Sequence, residues 1–220
     1  MSSTQLGTLQ PDTEKKVNIR KSTLIVKRML DIIISIICFI ILLPLMLVIA
    51  VLIKIDSSGP VIFKQKRAGI YGRPFKIYKF RTMVQDAESQ FKLDIDPKNI
   101  NNFVFQDKDD PRVTKLGCFL RKTSLDELPQ LLNVIKGDMS LMGPRPELYD
   151  IVDLYDDHQR RRLDVKPGVT GLAQVKGRGE LTLEQTIKHD LEYIDNLSIK
   201  MDLKLLFSTF NVVIRRKGAF

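Results

Sequence analysis

The sequence has no tryptophan, only two cysteines (Cys38 and Cys118) and only two histidines (His158 and His189). Two cysteines so far apart build neither a disulfide framework nor a thiolate metal site, so a reduced, cytoplasmic setting is expected. Two histidines on polar stretches argue against a histidine-built metal centre, and both are read as surface residues. Aromatic residues make up 7% of the chain, and no nucleic-acid reading motif is recognisable, which argues against a nucleic-acid binder. The long strand alternation that a barrel or sandwich needs is absent. Acidic residues are in deficit: Asp and Glu number 26 against 35 Lys and Arg, a formal net charge of +9. Nucleic acid, anionic lipid headgroups and polyanionic small substrates all fit such a charge.

What the chain does have is one long apolar run. Residues 32–53 read IIISIICFIILLPLMLVIAVLI, 22 residues without a charge. As a helix this run is roughly 33 Å long, enough to cross a bilayer. It begins too late, and its core is too long, for a cleaved signal peptide. Basic residues flank both ends: Lys15, Lys16, Arg20, Lys21, Lys27 and Arg28 before it, Lys54, Lys64, Lys66 and Arg67 after it. The positive-inside rule therefore gives no direction for a simple crossing. Pro44, near the middle, removes a helix hydrogen bond and favours a kink. These features predict a helix-break-helix that enters and leaves on one face, with a single-pass span as the simpler reading. Asp31, just before the run, is expected to pair with Arg28 or Lys27 at the interface.

The remainder reads as a small α+β domain, largely helical and membrane-associated. The organisation expected is a flexible polar and basic segment over residues 1–26, the membrane segment over 27–56, a cytoplasmic catalytic domain over 57–200, and an amphipathic helix with a basic tail over 201–220. Strands are expected at Val61–Phe63 and Phe75–Phe80, joined by a turn from Gly69 to Pro74. Helices are expected at Met83–Leu93, Glu147–Arg162 and Leu183–Leu197, with loops at Asp94–Pro111 and Pro167–Gly179. Leu203, Leu206, Phe207, Phe210, Val213 and Ile214 recur at helical spacing ahead of Arg215, Arg216 and Lys217. That pattern suits either core packing or a helix lying at headgroup level.

The densest chemistry lies in RKTSLDELPQLLNVIKGDMSLMGPRP, Arg121 to Pro146. Either Ser124 caps a helix with Glu127 as its third residue, or Asp126 is the cap and Pro129 lies in the first turn. Both readings put Asp126 and Glu127 at a helix start, where backbone N–H groups favour negative charge. A carboxylate kept ionised serves as nucleophile or magnesium ligand, whereas plain capping is the ordinary use. Arg121 is placed to clamp a phosphate. Gly143-Pro144-Arg145-Pro146 is a stiff turn presenting one guanidinium. Lys79, Arg81 and Arg112, with Arg67 beyond the first strand, are further candidates for anion binding or for structural ion pairs.

These pieces together closely resemble the bacterial sugar transferases known as monotopic phosphoglycosyl transferases. The resemblance runs from Lys27 to the C-terminus through KRMLD (27–31), the apolar run, SGPVIFKQKRAGIYGRPFKIYKFRTM (58–83), DPRVTKLGCFLRKTSLDELPQLLNVIKGDMSLMGPRP (110–146) and KPGVTGLAQVKGR (166–178). It implies transfer of a sugar 1-phosphate from a UDP-sugar to polyprenyl (undecaprenyl) phosphate, with release of UMP. Asp126 would form a phosphoryl-aspartate. Glu127 would help hold Mg2+, Arg121 would bind phosphate, and Arg145 would reach the nucleotide or its phosphates. It also implies a re-entrant membrane helix that many members break at a Ser-Pro pair; here the pair is Leu43-Pro44. The setting expected is the bacterial inner membrane, with the catalytic domain on the cytoplasmic face. The pathway expected is a surface polysaccharide or other glycoconjugate begun on a hexose such as glucose or galactose, and a homodimer is left open. The competing reading is a membrane-anchored basic scaffold of a polysaccharide assembly complex. That reading needs no Asp-Glu pair beside an arginine.

Overall fold

The computed structural model describes residues 19–87, 97–104 and 110–215. The apolar run forms the middle of a 36-residue helix, α1 (Lys21–Asp56). Most of its apolar side chains have nothing to pack on: Ile25, Met29, Ile33, Ile37, Ile40, Ile41, Leu47 and Val51 all stand exposed. In water such a surface aggregates, so this helix is built for lipid. The helix runs unbroken through Pro44, where a break is expected from the sequence. Two sections of α1 are nevertheless held by the rest of the chain. Ile34 and Cys38 pack on the main core, whereas Met46, Ile49 and Ile53 form a second cluster with Phe80 and Leu120.

After α1 comes an antiparallel hairpin of β1 (Ile62–Ala68) and β2 (Pro74–Phe80), with Ile62 opposite Phe80 and Ala68 opposite Pro74. Both expected strands are present, and the turn joining them takes Tyr71 and Gly72 to positive φ. The expected helix from Met83 does not form where the chain is described. Met83 bridges to Val113 and residues 85–87 make a turn, while residues 88–93 lie outside the described residues. Next, α2 (Lys115–Thr123) begins with the Thr114 hydroxyl accepting the Gly117 N–H at 2.9 Å. It stops at Ser124, which adopts left-handed φ 59°. A single 3-10 turn, Leu125–Glu127, leads into α3 (Gln130–Lys136), which Gly137 closes at φ 97°.

A short parallel pair, β3 (Ser140–Met142) and β4 (Gly168–Thr170), lies behind α3. Between these strands the expected single helix over 147–162 resolves into α4 (Tyr149–Val152), α5 (Asp157–Arg160) and a 3-10 turn. Asp156 interrupts it by starting α5 with its own capping box. The stretch read as loop over 167–179 holds β4 and α6 (Leu172–Lys176). Its glycines allow close packing as well as turns: a Cβ on Gly168 would stand 2.2 Å from the Gly143 nitrogen. Then α7 (Leu183–Asp195) opens on a Thr182–Gln185 capping box and sends Leu183, Ile187, Leu191 and Ile194 into the core. Last, α8 (Ile199–Arg215) buries Leu205 while Phe207 and Phe210 stand 70% exposed.

Asp31 and Arg28 do not pair with each other; each holds a different backbone. The Asp31 carboxylate accepts the Leu141 N–H at 3.1 Å. Arg28 donates to the Val134 and Ile135 carbonyls at 2.6 and 2.9 Å, capping α3. Carbonyls at a helix end lack intrahelical donors and attract a cation, which explains the choice. Lys27 instead meets Asp202 of α8 at 2.7 Å.

Candidate active site

Four segments converge on one pair of carboxylates. The hairpin brings Lys79 on β2, the 3-10 turn carries Asp126 and Glu127, α2 ends near Arg121, and the Gly-Pro-Arg-Pro turn after β3 presents Arg145. Lys79 Nζ and Arg145 each lie 3.0 Å from the same oxygen, Glu127 Oε1. Arg121 donates from Nε to the Thr82 hydroxyl at 2.9 Å. Its two terminal nitrogens have no hydrogen-bond partner among the described residues. Neither capping geometry expected from the sequence occurs. Ser124 ends α2 without a side-chain cap, and Asp126 lies inside the 3-10 turn ahead of Pro129.

Asp126 is 8% exposed, and no described residue donates a hydrogen bond to its carboxylate. Burial therefore pushes the Asp126 carboxyl above the usual carboxylate range. Lys79 pulls it back down, neighbouring Glu127 pushes it further up, and Arg145 and Arg121 again oppose. The helix-start N–H groups that would hold it ionised are not what surrounds it; three cations are. Burial also lowers Lys79 and Arg121 from their ordinary values, whereas the Glu127 carboxylate raises Arg145. The result is a reactive oxygen in a dry, cationic setting, an environment suited to attack on a polyanion.

The remaining candidates serve other ends in this structure. Arg81 grips the C-terminal end of α1, donating to the carbonyls of Pro60 at 2.5 Å and Ser57 at 2.6 Å. Arg112 forms a forked pair with Asp110, at 2.8 and 2.6 Å. Arg67 lies against Gln65 at 2.7 Å and reaches the Pro146 carbonyl at 3.4 Å. Sequence reasoning missed Asn133, fully buried one turn into α3. Its side chain accepts the Tyr78 N–H at 3.0 Å and donates to the Lys76 carbonyl at 2.7 Å. It thereby acts as a substitute strand along β2 and fixes Lys79 opposite Glu127. An asparagine six residues after Glu127 was its only signal.

The model of the family described as bacterial sugar transferase matches residues 22–216. This chain belongs to that family. It is 46% identical over 200 residues to the galactosyl transferase CpsE of Streptococcus agalactiae, covering 90% of this chain and 44% of that protein. It is 43% identical over 195 residues to the uncharacterized sugar transferase EpsL of Bacillus subtilis, covering 89% of this chain and 90% of the relative. It is 44% identical over 205 residues to the UDP-glucose:undecaprenyl-phosphate glucose-1-phosphate transferase of Klebsiella pneumoniae, covering 90% of this chain and 42% of that enzyme. The chain thus spans less than half the length of the first and third relatives. Near-equal likeness to a galactosyl and a glucosyl enzyme means that overall similarity does not choose the sugar.

Proposed function

We propose that this chain transfers a sugar 1-phosphate from a UDP-sugar to undecaprenyl (polyprenyl) phosphate at the cytoplasmic face of the bacterial inner membrane, releasing UMP. This would be the first membrane step of a surface polysaccharide or glycoconjugate. The observation that carries the reading is the Asp126 carboxylate, buried, without a hydrogen-bond donor among the described residues, and ringed by Lys79, Arg121 and Arg145. In the first half-reaction an Asp126 oxygen attacks the phosphorus next to the sugar. The new O–P bond replaces the bridging P–O bond, whose electron pair leaves with UMP. In the second, a phosphate oxygen of the lipid attacks the same phosphorus, and the Asp126 carboxylate departs unchanged. Charge neutralisation and alignment dominate such chemistry. Arg145 and Arg121 hold phosphate oxygens, and Lys79 keeps Glu127 in place.

A magnesium ion suits this donor set, because Mg2+ takes one or two carboxylates and completes its shell with substrate phosphates and water. Asp126 and Glu127 would hold it, and when bound it would neutralise phosphate charge. A hexose such as glucose or galactose is the expected sugar. Contacts at both ends of α1 with one domain support entry and exit on a single face: Arg28 and Asp31 near its start, Ile53 near its end.

Purified protein with UDP-glucose or UDP-galactose, undecaprenyl phosphate and Mg2+ should release UMP, and quenching without lipid should trap a sugar-phosphate adduct on Asp126. The D126N variant should give neither. Wild-type-like turnover in D126N would overturn the mechanism.

A further inference from the structure

Behind Arg145 lies a charged cluster that the reaction itself does not use. Arg162 is 2% exposed and Asp190 is 1% exposed. The Arg162 guanidinium meets Asp190 at 2.7 Å and Glu147 at 3.1 Å, and it also donates to the Tyr155 hydroxyl. Burying one guanidinium with two carboxylates carries a heavy desolvation cost, and such a cluster is weak as a source of stability. Its geometry gives it another use. The other Arg162 contact is its hydrogen bond to the Arg145 carbonyl, at 3.1 Å.

That bond completes a clasp. Each carbonyl from Pro144 to Glu147 accepts from a different fixed donor. Pro144 takes the Gly168 N–H at 2.8 Å, Arg145 takes Arg162, Pro146 takes Arg67 at 3.4 Å, and Glu147 takes the Ala68 N–H at 3.0 Å. The backbone is fixed at every step, yet the Arg145 side chain is 42% exposed and touches Glu127. A rigid base under a half-open guanidinium is how a ligand clamp is preorganised.

We infer that Arg162 is a positioning residue for Arg145: by holding the Arg145 carbonyl it fixes where that guanidinium meets the diphosphate of the nucleotide sugar. The inference rests on the proposed use of Arg145 as a phosphate clamp. Loss of Arg162 therefore weakens diphosphate binding through Arg145 and not through a general loosening of the domain.

The test is a double-mutant cycle on the full chain in detergent, measuring UDP binding by titration calorimetry and the thermal midpoint for wild type, R162K, R145A and R145A/R162K. Lysine keeps the charge but cannot serve three partners and the carbonyl at once. R162K should weaken UDP binding by about tenfold when Arg145 is present, as misplaced binding groups do, and by less than about twofold in the R145A background. The fall in thermal midpoint should be the same in both backgrounds. Equal losses of binding in both backgrounds would overturn the inference and leave the proposed function standing. A wild-type protein that binds no UDP would overturn both. Should R162K fail to fold, Tyr155→Phe enters the same cycle, because it removes one Arg162 partner while keeping the packed ring.

Discussion

Asp126 faces two opposed demands. Its proposed reaction needs an ionised oxygen, yet burial holds its carboxyl above the ordinary value of 3.8. A group whose folded pKa is raised leaves the native state unpenalised below the unfolded value. The penalty grows as pH rises and is complete above the folded value. Replacing the carboxylate with a neutral isostere therefore removes a cost that the wild type carries at neutral pH. D126N should melt at a higher temperature than wild type at about pH 7.5, with the gap closing as pH falls through the usual carboxylate range. Scanning calorimetry across that range checks it. A lower midpoint for D126N at neutral pH would mean that Lys79, Arg121 and Arg145 more than offset the burial.

One scale up, the site depends on how β2 lies against α3. Asn133 makes that join with two hydrogen bonds, one to each of two backbone groups on β2. N133A leaves both groups without this partner and should cost about 2 kcal/mol of stability. Because Lys79 follows Tyr78 directly, its register against Glu127 should loosen as well. The expected outcome is a lower thermal midpoint together with a loss in kcat larger than the loss of folded protein explains. A kcat per folded molecule equal to wild type would show that β2 keeps its place without Asn133. The element scale is also where sequence legibility varies. The hairpin could be read because its alternation and its Gly-Ile-Tyr-Gly turn are local signals. The interruption of the 147–162 helix could not, because Asp156 fits equally well inside a helix pattern and at a cap. The 3-10 turn at Asp126 went unseen for a similar reason: Ser124 and Pro129 are both ordinary helix-start residues. Leu120 and Leu125, on either side of Ser124, both pack in the cluster with Ile53 and Phe80, a tertiary constraint that the sequence does not display. Asp126, Glu127 and Arg145 stood out as candidates because an adjacent acid pair and a proline-braced arginine are local patterns, whereas their roles, and that of Arg121, come from the family resemblance and belong to the proposed function. The allotment of the other arginines, Arg81 to α1 and Arg112 to Asp110, is decided by distant backbone that a sequence does not display.

At the scale of the molecule, what matters is where the apolar helix α1 puts the domain. Along α1 the distance from Lys27 to Ile53 is roughly 39 Å at helical rise, more than the thickness of a bilayer core. Yet Lys27 is bound to Asp202 and Met142 of the same domain that packs on Ile53. In the proposed setting, a domain that faces water on one side of the membrane and grips α1 near both ends would bring both ends to that side. Phe207 and Phe210 on α8 stand exposed; in the proposed setting they would meet lipid and seat the domain at headgroup depth. Under the proposed function this arrangement would bring a soluble nucleotide sugar and a lipid phosphate to one carboxylate, which a domain held away from the bilayer on a long tether would not do. Single cysteines at Arg20 and Ser58, in a background with Cys38 and Cys118 replaced by serine, report on it directly. In right-side-out vesicles neither should react with a membrane-impermeant maleimide, and in inverted vesicles both should. Labelling of one position in each preparation would mean that α1 crosses the bilayer and that the contacts at one of its ends do not form in the membrane.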